Sequence, residues 1–250
     1  GYTDAIPTAW PKYVLGQDLM AATEDEPVDI TPAIINAAFE WENADYWTIT
    51  PEEEGAAIGQ NEGYQNNATY TNTEEGITIE KFVEAWRANG VVLNNGVIGQ
   101  EIKAVLPEGY YELAADAFAL NQNAVPEDGT QGVYLMAQSA GAGIYEESIC
   151  VDQKESAEAP RHIAVQFYSD GKTLTTVGIH VNNTNASGAL ADNFTLKCLG
   201  TTPPTAIEKN DATPAEASEI FTVSGIKTNT TTKGINIVKM SNGSVVKVVK

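Results

Sequence analysis

Acid–base or nucleophilic chemistry would have to come from a small set of groups in this chain. His162 and His180 are the only histidines among 250 residues, which carry 34 acidic side chains. Both histidines fall in stretches where apolar and polar residues alternate. Neither accompanies a Gly-x-Ser-x-Gly elbow, so each reads first as a polar residue on a sheet face. His180 is the more interesting, because the polar loop Asn182-Asn183-Thr184-Asn185 follows it. Glycan hydrolysis needs two carboxyl groups flanking one bond. The runs Glu52-Glu53-Glu54 and Glu146-Glu147 put their acids side by side, where strand alternation or a turn splays them apart, and they read as solvated surface. There is no phosphate-binding glycine loop and no zinc motif. The chain is therefore expected not to be an enzyme.

Sugar binding asks for less. A flat aromatic face meets the C–H side of a pyranose ring, and nearby amides or carboxylates meet its hydroxyls. Four Trp and ten Tyr supply the first, and Asn-rich loops the second. The expected stacking surfaces are Trp86 and Tyr145, and the expected hydrogen-bonding residues are Asn121, Gln122 and Asn183. Tyr64 and Tyr70, in the polar stretch 60–73, are also expected to be exposed. Trp86 is a core residue if its segment is a helix and a platform if it is a loop or edge strand.

The elements that would hold these residues read as strands. Tyr111, Leu113, Ala115 and Ala117 alternate with polar residues after the turn Pro107-Glu108-Gly109. Residues 132–138 form a second run, and Ile163, Val165 and Phe167 a third. Asp170-Gly171 turns into a fourth, where Val177, Ile179 and Val181 share a face. Phe194, Leu196 and Cys198 close the series. One segment is ambiguous: Ile79, Phe82, Val83 and Trp86 have helical spacing, with Gly90 as a stop, yet would also serve as a bulged strand. Short strands broken by Gly, Asn, Pro and Asp indicate an all-β fold, an antiparallel sandwich or barrel.

Composition sets limits on partners. The net charge is −20, from 34 acidic against 14 basic residues, which disfavours nucleic acid and anionic lipid. Neutral glycans and divalent cations remain open. No run of about 18 apolar residues occurs, so membrane insertion by a helix is not expected. The polar start at Gly1 reads as processed or engineered. Cys150 and Cys198 pair in an exported protein or stand as two buried thiols; the sequence leaves both open. Residues 1–30 form an N-terminal extension expected to pack on a body at 31–200. The prolines of Thr201-Thr202-Pro203-Pro204-Thr205 then mark a linker, and 206–250 form a small β unit. That tail is basic from Phe221 onward, with five lysines and no acid, and alternating residues flank its turn Asn242-Gly243.

Several pieces of the body resemble carbohydrate-binding-module-like jelly rolls of the galactose-binding-domain type, as found in secreted Bacteroidetes proteins. Asp29 through Glu40 is similar to the family's first strand, with Ala37 where the family usually has Pro. Trp47-Thr48-Ile49 stands where its first core Trp falls. Gly99-Gln100-Glu101-Ile102 and Leu106-Pro107-Glu108-Gly109-Tyr110-Tyr111-Glu112-Leu113 look like its glutamine strand and Leu-Pro-x-Gly turn. Ala191-Asp192-Asn193-Phe194-Thr195-Leu196 looks like its final strand. The resemblance implies a jelly-roll sandwich and a structural calcium ion held by Glu40 and Asp192. Phe221-Thr222-Val223-Ser224-Gly225, 233–238 and 245–250 look like the end of a C-terminal sorting domain. The expected protein is a non-catalytic module that binds a neutral glycan, exported to the periplasm or outer cell surface. An adhesive protein binding cell-surface proteins is the alternative, and a glycosidase a distant third.

Overall fold

The computed structural model describes residues 13–14, 17–122, 129–150, 159–204, 217–222, 227–228, 235–240 and 245–249. Among the described residues the regular elements are strands and three short 3-10 turns. In chain order the strands begin with β1 (Tyr13–Val14), β2 (Gln17–Asp18), β3 (Val28–Asp29), β4 (Thr48–Pro51), β5 (Asn61–Gln65), β6 (Tyr70–Asn72) and β7 (Ile77–Ile79). The central ones are β8 (Phe82–Trp86), β9 (Gly96–Glu101), β10 (Gly109–Leu120), β11 (Val133–Ser139), β12 (Gly143–Ser148), β13 (Arg161–Ser169), β14 (Thr175–Val181) and β15 (Gly188–Gly200). The last four are β16 (Ala217–Thr222), β17 (Lys227–Thr228), β18 (Ile235–Met240) and β19 (Val245–Val249).

Two antiparallel sheets make the sandwich. One has the order β13-β10-β15-β8-β5, with β3 added to β15; the other has the order β12-β11-β14-β9-β4. Neighbours in each sheet are mostly distant in sequence, as in a jelly roll. The core lies between the sheets. Leu113, Ala115, Val165, Phe167 and Leu196 from the first meet Ile98, Leu135, Val177 and Ile179 from the second. Each fully buried Leu, Ile or Phe contributes about 1.5–3 kcal/mol, and alternation along β13, β14 and the first half of β10 is what delivers them to one side.

The first sheet is covered on its outer side too. The hairpin β6-β7 places Tyr70, Ile77 and Ile79 against Phe82, Phe118, Leu120, Leu190 and Trp86. This settles the segment with helical spacing: residues 82–86 are a strand. Phe82, Val83, Glu84 and Ala85 are all buried, and a strand buried on both faces loses its period of two. Tyr70 is correspondingly a packing residue, 5.5 Å from Phe82 and 5.1 Å from Phe118 between ring centroids. Tyr64 likewise packs against the main core. Neither is the exposed loop tyrosine expected.

The opening segment is the clearest departure. Only Val28–Asp29 is strand; Thr31–Ala33 is a 3-10 turn with Pro32 in its first positions, and irregular turns follow. Asn36 and Phe39 adopt left-handed backbone, with φ of 55° and 49°, outside the extended region of a regular strand. The segment is held to β15 by single bonds, Ile30 N–H to the Leu196 carbonyl and Phe194 N–H to the Ala37 carbonyl. Gln100 binds its other side. It accepts from Ile35 N–H at 2.7 Å and donates to the Ile35 carbonyl at 2.8 Å.

Both cysteines are free thiols, Cys198 buried and Cys150 half-buried. The chain divides into two compact units, 1–207 and 208–250. The second contains the antiparallel sheet β17-β16-β18-β19. The turn Asn242-Gly243 lies outside the described residues.

Candidate functional site

An open cleft of about 400 Å³ is lined by Glu40, Thr78, Glu80, Lys81, Asp192 and Asn193. It owes its shape to a β-bulge. Across β10 and β15, Ala114 faces Thr195 but Asp116 faces Asp192, so Asn193 and Phe194 together oppose Ala115. Asn193 takes the left-handed conformation, φ 52°, which a bulge of this kind needs and Asn tolerates. Its side-chain amide donates to Asp116 Oδ2 at 3.0 Å, and Asp116 Oδ1 is 3.0 Å from His162 Nδ1.

Asp192 is 5% exposed, and its Oδ1 has no hydrogen-bond partner. Burial, with smaller contributions from the nearby Asp116 and Glu40 carboxyls, pushes its pKa up to about 7 against the opposing Asn193 N–H and Lys81. The Lys81 ammonium lies 2.8 Å from Glu40 and 3.6 Å from Glu42. Its pKa is raised, first by the hydrogen bond to Glu40. The two residues expected to hold calcium therefore line one cleft. The unpartnered Asp192 oxygen is of the type a hard cation takes, while Glu40 is already paired with the Lys81 ammonium. Among the described residues no group of three or more His, Cys, Asp or Glu side chains is placed to hold a metal ion by itself.

Beside this cleft runs a loop that sequence reasoning passed over. Phe39 and Trp47 anchor it in the core, with ring centroids 5.1 Å apart and Phe194 4.7 Å from Trp47. Between them Trp41 and Tyr46 point out, 46% and 51% exposed, in an edge-on pair 6.1 Å apart. Asn36, Phe39, Glu42 and Tyr46 all have positive φ, each costing about 1–2 kcal/mol in a non-glycine residue. Asn36 holds the turn: it accepts from Trp41 N–H and donates to the Asn43 carbonyl. A signal was present in the sequence. Where aromatics cluster as Phe39, Trp41, Tyr46 and Trp47, not all can enter one core.

Four of the five residues expected to bind ligand gather at one end of the sandwich. Trp86 ends β8, opposite Gly188. Its six-membered ring fills the space a β-carbon on Gly188 would need, since that carbon would lie 2.2 Å from Cε3 and Cζ3. The half-buried ring therefore lies over the strand. Asn121 donates to the Asn185 carbonyl at 2.8 Å, and Gln122 N–H donates to Ser187 Oγ at 2.9 Å. Asn183 is exposed, with its N–H bound to Asn95 Oδ1. Tyr145 is elsewhere. It is partly buried against the main core, 6.4 Å from Phe167, and does not join Trp86.

His180 occupies another place again, on the second sheet. Its Nδ1 pairs with Glu146 of β12 and its Nε2 lies 3.9 Å from Glu52, just beyond β4. A ring on β14 is thus gripped from both edges of its sheet, and only 12% of its side chain is exposed.

No protein-family model and no curated protein matches the chain. Similar solved structures include a cyclase from Fischerella sp. TAU, 18% identical over 71% of this chain and 100% of that one, with a TM-score of 0.49. The carbohydrate-binding module TmCBM61, solved with β-1,4-galactotriose, is 15% identical over 66% of this chain and 96% of that one, TM-score 0.42. The CBM22-1 xylan-binding domain of Paenibacillus barcinonensis Xyn10C is 10% identical over 66% and 94%, TM-score 0.42. One expectation is corrected by this. The chain was expected not to be an enzyme, but the cyclases are enzymes, so catalysis is not excluded from the fold.

Proposed function

We propose that this chain is a carbohydrate-binding protein exported to a bacterial cell surface, taking a neutral glycan at the loop end that carries Trp86. One observation carries the reading: the half-buried Trp86 ring is laid over Gly188, and Asn121 and Gln122 follow β10, the strand whose end pairs with Gly188. A ring fixed in place loses little freedom when a sugar stacks on it. The charge of −20 favours neutral over sulfated or phosphorylated saccharides, because like charges repel across a shared surface. Export is supported by the resemblance of residues 221–250 to sorting domains. A calcium ion between Glu40 and Asp192 belongs to the same proposal, supported by the unpartnered Asp192 oxygen.

A glycan array with and without calcium tests the reading, followed by calorimetry on the best ligand. Galactan and xylan fragments, the ligands of the two binding modules above, go first. Affinities of about micromolar to millimolar are expected for a shallow site. Trp86→Ala is expected to weaken binding at least tenfold. Absence of binding to any saccharide refutes the proposal.

A further inference from the structure

We infer that Trp41 and Tyr46, together with the adjoining cleft, form a second saccharide site: a pyranose ring stacks on the aromatic pair while the neighbouring sugar unit places its hydroxyls in the cleft that Glu40, Glu80, Lys81 and Asp192 line. The ligand class rests on the carbohydrate reading above; the location does not. Two independent observations meet here. Among the described residues Trp41 and Tyr46 are the two large aromatic side chains left exposed, and they stand together as a pair 6.1 Å apart. Asp192, which lines the cleft, is 5% exposed and keeps one oxygen without a hydrogen-bond partner. A buried acceptor left open in this way is one that a ligand atom entering the cleft can complete.

The two are physically joined. Glu40 and Glu42 bracket Trp41 in sequence, and both carboxylates face the one ammonium of Lys81, itself part of the cleft wall. The loop is also made rigid in advance. Phe39 and Trp47 pin its ends in the core, Asn36 ties its middle, and four non-glycine residues accept left-handed backbone. Strain of this sort persists only where surrounding contacts overdetermine it, and here it holds two aromatic rings out in water. Carboxylates dominate the cleft, so the saccharide is neutral; a uronic or sulfated sugar would meet Glu40, Glu80 and Asp192 head-on. Ring stacking needs only an apolar C–H face on the sugar, so the pair would select for a unit that presents such a face rather than for one particular sugar.

Nuclear magnetic resonance on the full chain separates this site from the Trp86 end, because each tryptophan reports through its own indole N–H. Titration with β-1,4-galactotriose and β-1,4-xylotriose, in calcium and again in chelator, is expected to move the Trp41 resonance saturably. Trp86→Ala is expected to leave that movement in place. Tyr46→Ala is expected to weaken it at least tenfold, and Tyr46→Phe, which keeps the ring, to restore it to within about threefold of the parent. If Trp86 shifts while Trp41 stays still, the second site is refuted and the carbohydrate reading stands. If neither resonance moves with either ligand, both fall.

Discussion

Glu84 offers the sharpest test of the structure, because one atom change alters its charge and little else. It sits in β8 between Phe82 and Trp86, flanked by Gly63 on β5 and Leu190 on β15, and is 4% exposed. Burial alone raises its pKa from an ordinary 4.5 to about 7. The folded chain therefore holds this proton more tightly than the unfolded chain. The associated stability is complete below pH 4.5 and is lost as pH rises through about 7. At about 1.4 kcal/mol per pH unit, the interval amounts to about 3 kcal/mol, a substantial part of the 5–15 kcal/mol, roughly, that stabilises a typical domain. Glu84→Gln keeps the shape and removes the ionisation. Urea unfolding of both proteins across this pH range, followed by tryptophan fluorescence, is expected to show near-equal stability at the acid end. Above neutral pH the variant should be more stable by about 1–3 kcal/mol, the lower figure allowing for an imperfectly bonded amide. Other groups that titrate in both proteins cancel in the difference. A difference that is constant with pH, or that widens toward acid, refutes the buried-carboxyl argument.

Three further outcomes are expected. Calcium is expected to raise the melting temperature and chelator to remove the gain, which is worth about 2.7 kcal/mol at one hundred times the dissociation constant; Asp192→Ala should abolish the response in a calorimetric scan. Gly188→Ala should destabilise by about 1–3 kcal/mol and shift Trp86 emission, since the new carbon meets the ring at 2.2 Å; an unchanged unfolding curve would contradict the position of the ring. Truncation after Ile207, the end of the first compact unit, should leave a single cooperative unfolding transition, and an aggregated product would show that the sandwich needs residues 208–250.

Much of the sandwich was legible because one face of most strands meets water. Along β13, β14 and the first half of β10, polar residues mark the more open side and the alternation survives in the sequence. It failed at β8, whose outer face is covered by the β6-β7 hairpin, a tertiary event with no local signature. The same covering turned Tyr70 from an expected surface residue into packing. The opening segment was misread for the opposite reason. Its residues match a strand in type, but left-handed turns at Asn36 and Phe39 decide its path, and neither residue type demands them. At the site, Glu40 and Asp192 were placed in one cleft by resemblance alone, from positions 152 residues apart in sequence; no spacing rule would pair them. Trp41 and Tyr46 were missed because their exposure is set by which neighbours the core had already taken.

The bulge in β15 bears on how such a cleft could arise and disappear over generations. Ala189 and Ala191 face the core before it, and Phe194, Leu196 and Cys198 after it. Those positions share no parity, and Asn193 is the surplus residue that reconciles them. Loss of that single codon would join the two halves into one unbroken alternation, with every core side chain still pointing inward. The scaffold would survive and the cleft would lose a wall along with the amide that braces Asp116. Gain or loss of the cleft wall is therefore one in-frame deletion or insertion away from an otherwise unaltered sandwich.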